Sequence, residues 1–178
     1  RSLPPKGALG TFGTAGRYGM KLIDLQGKRV LITQAQDFMG PALVRVFGAL
    51  GATVIADARA LGDDAGVAAR VVAEAGDIDV LIAHLALPAP STAVAAVGDE
   101  EWRQVFAHMV DPLPRLARAV LPQFTARGAG RIVVIGSAAA LRGQRRTSSY
   151  SAARGAQIGW VRAAGVELAR QNIQLNAI

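Results

Sequence analysis

Short apolar segments alternate with amphipathic helical segments along most of this chain. The predicted strands cover residues 29–33, 53–56, 78–83, 131–136 and 173–178. The predicted helices between them cover residues 40–50, 64–75, 100–127 and 150–171, the third of which we expect to be disturbed by its prolines. Apolar strands that alternate with helices form a parallel sheet covered on both faces. The alternation therefore predicts a doubly wound α/β domain.

The first twenty residues do not share this alternation. They contain Pro4, Pro5 and five regularly spaced glycines, with no periodicity of a helix or strand. This composition indicates a flexible leader, so we expect residues 1–20 to lie outside the fold and residues 21–178 to form one Rossmann-like domain. Because the last predicted strand runs to Ile178, we expect this domain to be incomplete at its C-terminus.

Composition argues against several classes of function. The chain has 178 residues, no cysteine and two histidines, which argues against disulfides, thiolate chemistry and a metal site. Its most apolar stretch, residues 80–97, is interrupted by a histidine and two prolines, so it is too short to span a membrane. The net charge is +7, but the basic residues are scattered and lack interleaved aromatic residues. We expect a cytoplasmic protein that binds neither membranes nor nucleic acid.

The turn after the first strand indicates whether the domain can hold a dinucleotide. Dinucleotide-binding turns need glycines, because side chains would block the approach of the pyrophosphate to the backbone amides. Here the turn runs from Thr33 to Gly40, and Gly40 is its one glycine. Asp37 would repel a phosphate, and Phe38 would fill the space. The turn thus argues against a dinucleotide, unless Phe38 is instead a core residue of a helix that begins early.

A second group of polar residues surrounds the end of the fourth predicted strand. Ser137 follows that strand, and Tyr150 and Arg154 lie at the start of the next helix. At positions i and i+4 these two side chains share a helix face, and a permanent guanidinium charge favours the phenolate, a usable base. Ser137 could hydrogen-bond the same substrate oxygen. The group suits proton abstraction from an alcohol, although a tyrosine and an arginine at this spacing are often an ordinary surface pair.

From about Leu25 to Ile178 the chain resembles the short-chain dehydrogenase/reductase superfamily. The matching segments are LQGKRVLIT, IDVLIA, LPQFTARGAGRIVVIGS, YSAARGA and NIQLNAI. Compared with that family, the glycine-rich turn is lost. Met109 occupies the position of the family's catalytic asparagine, and Arg154 occupies the position of its active-site lysine. Asp57 lies where related enzymes place a ribose-binding acid. Only about twenty residues separate the second and third predicted strands, so we expect one edge strand to be missing.

These departures resemble the halohydrin dehalogenases, relatives that lack a nicotinamide cofactor. Their two signatures are matched by two sets of residues, Thr33, Phe38 and Gly40 in the turn and Ser137, Tyr150 and Arg154 after it. The resemblance implies a catalytic Ser-Tyr-Arg triad, no cofactor, and a halide pocket beside the aromatic turn. It also implies vicinal haloalcohols, epoxides, halide and small anions as ligands, and a homotetrameric assembly.

Several residues near the predicted site allow more than one interpretation. Leu85, Leu87 and Leu141 are candidates for the substrate pocket, although leucines at these positions are equally expected in the core. His84 is interpreted as a hydrogen-bonded residue at a strand end rather than a catalytic group.

Two other functions stay open at this point. One is a nicotinamide-dependent reductase with a degenerate glycine turn, and the other is a non-catalytic descendant that serves as a subunit or interaction module.

Overall fold

The computed structural model describes residues 23–178, so the predicted leader at residues 1–20 lies outside the described residues. One sheet contains five strands, which are β1 (Arg29–Ile32), β2 (Thr53–Ala56), β3 (Val80–Ala83), β4 (Gly130–Val134) and β5 (Ile173–Ala177). The strands lie in the order β2-β1-β3-β4-β5, and every neighbouring pair is parallel. The predicted parallel α/β fold is therefore confirmed.

Five α-helices connect the strands, namely α1 (Gly40–Ala49), α2 (Val67–Ala75), α3 (Asp99–Met109), α4 (Pro112–Arg127) and α5 (Ser148–Ala169). The helix predicted over residues 100–127 is two helices. Pro112 begins the second of them, because proline has no N–H to continue the hydrogen-bond ladder of α3. The first position of a new helix needs no such N–H, so proline is well suited to it.

Successive residues of the central strands enter two separate cores. Leu31 and Leu81 point into a core that also contains residues of α2, α4 and α5. Val30, Ile32 and Val80 point into a second core, against which α1 packs. Strands buried on both faces account for the continuous apolar runs in the sequence. Helices thus cover both faces of the sheet, as the doubly wound pattern predicts.

The strand order determines where a ligand can bind. The chain moves outward from β1 to β2 and then crosses back to β3 on the other side of β1. In such sheets ligands bind beyond the carboxyl ends of the strands at this reversal. The segments after β1, β3 and β4 meet there. In the described part of the chain no strand pairs with the outer side of β2, which agrees with the predicted loss of an edge strand.

Candidate active site

A small cavity lies beyond the carboxyl ends of β1, β3 and β4. Its volume is about 140 Å³, and it is lined by Phe38, Met39, His84, Ala86, Leu87, Ile135, Gly136, Ser137, Tyr150 and Arg154. Pockets for drug-sized ligands are typically about 300–1,000 Å³. This volume therefore suits a molecule of only a few heavy atoms. All three residues of the predicted triad border this one cavity.

Tyr150 and Arg154 form a hydrogen-bonded pair one turn apart on α5. The Nε of Arg154 donates to the phenol oxygen of Tyr150 at 3.1 Å, and the guanidinium carbon lies 5.1 Å from the centre of the tyrosine ring. Arg154 is 6% exposed. A surface pair is therefore excluded, because the guanidinium is buried beneath the cavity and directed at the phenol.

The other partners of Arg154 are neutral oxygen atoms. Its Nη1 donates to the carbonyl of Ile135 at 2.7 Å and to Oε1 of Gln157 at 3.0 Å, and Nη2 donates to the carbonyl of Leu85 at 3.4 Å. Within residues 23–178 no carboxylate forms an ion pair with Arg154. The buried charge is therefore hydrogen-bonded without being neutralised, and its Nε directs that charge at the phenol oxygen.

Ser137 follows β4 and presents its hydroxyl to the same cavity. The backbone is extended, with φ of −160°, and the Oγ accepts a hydrogen bond from the amide of Ala139 at 3.2 Å. This bond fixes the position of the oxygen. In the described residues the hydroxyl proton has no acceptor, so the hydroxyl remains free to donate to a ligand oxygen.

The turn between β1 and α1 is tied to the segment that follows β3. The buried hydroxyl of Thr33 donates to the carbonyl of His84 at 2.9 Å. The side-chain amide of Gln34 donates to the carbonyl of Ala86 at 3.1 Å and accepts from its N–H at 2.9 Å. These bonds close the space between the two segments. Sequence reasoning missed the role of Gln34, since its partners are backbone atoms far along the chain.

Phe38 and Gly40 have different roles in this turn. The side chain of Phe38 is 69% exposed and borders the cavity, so it is not a core residue of α1. Gly40 is buried, and a Cβ atom there would lie 2.5 Å from the backbone of Ala35. Glycine is therefore required for close packing of the start of α1 against the turn. Gly40 supports the shape of the site rather than lining it.

The six predicted pocket residues do not all reach the cavity. Phe38 and Leu87 line it. Leu85, like Thr33 and Gly40, is buried nearby without lining it. Leu141 lies after β4 with 76% of its surface exposed, and it is not among the lining residues. One of the three leucines thus lines the pocket, one lies in the core and one lies on the surface. The sequence alone does not distinguish these environments.

His84 follows β3 and also borders the cavity, although the sequence predicted only a structural role. It is 3% exposed, and its Nδ1 lies 3.1 Å from the carbonyl oxygen of Gln34. A carbonyl can only accept, so Nδ1 carries the proton. Burial lowers the pKa of His84 below its usual value, and the nearby charge of Arg154 lowers it further. The ring is therefore neutral at physiological pH.

The carboxylate of Asp57, after β2, is already engaged. Its Oδ1 accepts from the amide of Arg59 at 2.9 Å, while its Oδ2 accepts from Nε and Nη2 of the same arginine at 2.8 and 2.6 Å. Arg59 also pairs with Glu74 at 2.9 Å. A ribose hydroxyl at Asp57 would share the carboxylate with this ion pair.

Residues 23–178 were predicted to hold neither a metal site nor a membrane span, and the structure bears on both features. This part of the chain contains no cluster of three or more histidine, cysteine, aspartate or glutamate residues able to hold a metal ion. It also has no helix that is both long and apolar enough to cross a membrane.

Comparison with known proteins shows to which family the chain belongs. Residues 26–178 match the short chain dehydrogenase family, so the chain belongs to this family. The 3-oxoacyl-(acyl-carrier-protein) reductase FabG of Vibrio harveyi is 26% identical over 180 residues, which cover 88% of this chain and 73% of the reductase. A solved structure named as a dehalogenation enzyme is 31% identical, with a TM-score of 0.78 over 86% of this chain and 71% of the other.

A third protein is similar in fold alone. The structure of a 3-ketoacyl-(acyl-carrier-protein) reductase from Brucella melitensis, complexed with NADH, has a TM-score of 0.80 at 22% identity, covering 86% of this chain and 75% of the other. Similar proteins thus include both reductases and a protein named for dehalogenation. Family membership establishes an enzyme fold, and the choice of chemistry rests on the site.

Proposed function

We propose that this protein is a halohydrin dehalogenase that works without a nicotinamide cofactor. In this proposal it converts vicinal haloalcohols to epoxides with release of halide, and it opens epoxides with small anions in the reverse direction. The observation that carries the proposal is the buried, unneutralised guanidinium of Arg154, which donates to the phenol of Tyr150 at the edge of a small cavity bordered by Phe38.

The forward reaction needs one base, one hydrogen-bond donor and a place for the leaving halide. The phenolate of Tyr150, which accepts a hydrogen bond from the Nε of Arg154, removes the hydroxyl proton of the haloalcohol. Ser137 donates a hydrogen bond to the same substrate oxygen. The alkoxide electron pair then forms a bond to the neighbouring carbon as the carbon–halogen bond breaks. The products are an epoxide, a halide ion and a protonated Tyr150, which returns its proton to solvent.

The reverse reaction uses the same groups in the opposite order. Tyr150 donates its proton to the epoxide oxygen while an anion such as azide, cyanide or nitrite attacks a ring carbon. No hydride moves in either direction. The positively charged Arg154 remains hydrogen-bonded to the phenol oxygen through the cycle, so it offsets the negative charge that Tyr150 carries as a base.

The geometry around the turn supports a site without a dinucleotide. Gln34 ties the turn to Ala86, and the side chains of Phe38 and Met39 border the cavity where a glycine-rich turn would leave room for phosphates. The carboxylate of Asp57 is occupied by Arg59. The residues of the turn therefore do not fit a nicotinamide dinucleotide. The 31% identity to a dehalogenation enzyme supports the same proposal.

A nicotinamide-dependent reductase is the second candidate. It is favoured by the FabG reductases among the relatives, such as that of Vibrio harveyi at 26% identity. The two candidates differ in one measurable requirement, because reduction of a carbonyl group consumes a reduced nicotinamide and dehalogenation consumes no nucleotide.

The test is halide release from a vicinal chloroalcohol or bromoalcohol by the full-length protein without added nucleotide. We expect steady release of halide, and a loss of about 10²–10⁴-fold in Tyr150→Phe, the range typical of general acid–base catalysis. The chain has one other tyrosine, and Tyr18→Phe provides the matched control with activity retained. Absence of halide release, together with micromolar binding of NADPH and its oxidation by a ketone, would replace the proposal with the reductase.

A further inference from the structure

We infer that Gln157 is a positioning residue that holds the guanidinium of Arg154 against Tyr150. This inference rests on the proposed role of the tyrosine as a base. Gln157 lies on α5 and is fully buried, with 0% of its surface exposed. Its Oε1 accepts from Nη1 of Arg154 at 3.0 Å, and its Nε2 donates to the carbonyl of Met109 at 2.6 Å. Gln157 does not itself line the cavity.

The neighbours fix the orientation of the Gln157 amide. The carbonyl of Met109 can only accept, so it requires the NH₂ group, and Arg154 can only donate, so it requires the amide oxygen. A flipped amide would lose both hydrogen bonds in a buried environment, at a cost that such unpaired groups normally prevent. The side chain therefore has one stable arrangement, and it presents an acceptor to Arg154.

The hydrogen bond from Gln157 to Met109 lies at the break between α3 and α4. Met109 is the last residue of α3, and the terminal carbonyls of a helix lack partners within it. Gln157 satisfies this carbonyl and thereby connects the helix end to Arg154 and, through Nε, to the phenol of Tyr150. A continuous series of hydrogen bonds thus runs from the end of α3 to the proposed base.

Gln157 is uncharged, which determines the net charge around Arg154. Its amide oxygen holds Arg154 without neutralising it, whereas a glutamate would place a negative charge on the guanidinium. Other ionisable groups around the pair come from separate elements. His84 is neutral, Asp37 lies in the turn after β1, and Glu101 of α3 is bound by the hydroxyl of Ser149 at 2.5 Å. The substitution Gln157→Glu therefore places a carboxylate against the guanidinium of Arg154.

The test measures ionisation of Tyr150 directly, so it requires no substrate. In a Tyr18→Phe background Tyr150 is the remaining tyrosine, and its phenolate absorbance can be followed against pH. We expect Gln157→Glu to move the midpoint of this titration upward by about one pH unit, because the carboxylate offsets the charge of Arg154. Gln157→Leu adds no charge but removes one acceptor of the guanidinium, so we expect a smaller upward shift. In a separate assay of halide release, we expect this variant to have about a tenfold lower kcat with KM within twofold.

The matched control is Ser149→Ala. Ser149 is also buried on α5 and bonded to α3, but it does not contact Arg154. We expect this variant to lower the melting temperature and to leave the midpoint unchanged. If both Gln157 variants melt at lower temperature with the midpoint of the parent, Gln157 is merely structural and the inference is wrong. If the midpoint shifts but the parent releases no halide, the positioning role holds and the proposed function fails.

Discussion

At the scale of single residues, the turn after β1 carries side chains on a backbone that usually favours glycine. Gln34 and Phe38 have φ values of 44° and 42°, in the left-handed region. Such conformations cost about 1–3 kcal/mol for residues with a Cβ atom and persist where the surroundings hold them. The two hydrogen bonds between Gln34 and Ala86 provide that support. The strained backbone presents Phe38 to the cavity, so the strain is located where the proposed function needs the ring.

His84 should give the fold a dependence on pH near neutrality. Burial lowers its pKa from the usual 6.5, so the unfolded chain binds a proton more readily than the folded protein. Stability therefore falls as pH drops below about 6.5, where the unfolded state binds more protons. We expect the free energy of unfolding, measured with urea, to decrease between about pH 6.5 and 5. His84→Asn should remove this decrease.

The control for this prediction is the other histidine of the chain, His108, on α3. His108→Asn should retain the decrease of the parent. Carboxylates affect the free energy of unfolding at lower pH than His84 does. Hydrogen bonding from Ser149 and from Arg70 holds the pKa values of Glu101 and Asp64 below their usual 4.5 and 3.8, so their contributions are lost at more acidic pH. A decrease above pH 5 that persists in His84→Asn would contradict the assignment.

The candidate site was only partly predictable from its residues. The sequence brings Ser137, Tyr150 and Arg154 together through spacing, because a strand end and one helix face fix their positions. Gln157 follows Tyr150 and Arg154 at i+7 and i+3, so the same helix-face argument could have found it. What no spacing reveals is its second partner, the carbonyl of Met109, since backbone atoms carry no sequence signal.

At the scale of whole elements, most strands and helices begin and end close to their predicted limits. The division of the helix predicted over residues 100–127 has a local cause, Pro112, whereas the late start of β3 has a tertiary cause. β3 was predicted from Ile78 but begins at Val80, because the amide of Ile78 donates to the side chain of Gln123 and its carbonyl accepts from Arg127. These two residues belong to α4, more than forty positions along the chain. Contacts of this kind remove a residue from the sheet without changing its strand-like composition.

The docking of α1 gives a prediction at this scale. A Cβ at Gly40 would lie 2.5 Å from the backbone of Ala35, and the backbone cannot rotate away as a side chain can. We expect Gly40→Ala to destabilise the fold by about 1–3 kcal/mol or more, as overpacking does. The measurement is the free energy of unfolding in urea, read by circular dichroism.

Gly48 provides the matched control on the same helix. A Cβ there meets nothing within 4 Å, so Gly48→Ala should stabilise the fold by about 0.5–1 kcal/mol through helix propensity alone. Opposite signs for the two substitutions would support the close approach of α1 to the turn. A stabilising effect at Gly40 would show that the helix can move away from Ala35 at little cost.

At the scale of the whole molecule, three of the scattered arginines lie together in one loop near the site. The chain carries a net charge of +7, and the loop from β4 to α5 contains Arg142, Arg145 and Arg146. Arg146 is bonded to the carbonyl of Ser91 at 2.9 Å, whereas Arg142 borders a depression together with Ser137. Charge clustered beside a cleft raises the local concentration of ions of opposite sign. The loop is thus suited to attract small anions toward the cavity.

This field predicts a salt dependence for epoxide opening by azide. The double variant Arg142→Gln and Arg145→Gln should lower kcat/KM for azide about threefold to tenfold at low ionic strength, within the range of electrostatic steering. The difference should fall below about twofold at high ionic strength, because the Debye length decreases from about 30 Å at 0.01 M to about 3 Å at 1 M. Sodium sulfate is the appropriate salt, since chloride would compete as a product.

The control removes the same charge outside the β4–α5 loop. Arg118, on α4, and Arg170, after the end of α5, are both exposed. Arg170 lies twenty residues after Tyr150 along α5, or about 30 Å at the rise of a helix. Changing both of these to glutamine should alter kcat/KM by less than about twofold at every ionic strength. An equal loss in both double variants would mean that total charge, rather than its position on the β4–α5 loop, governs the approach of the anion.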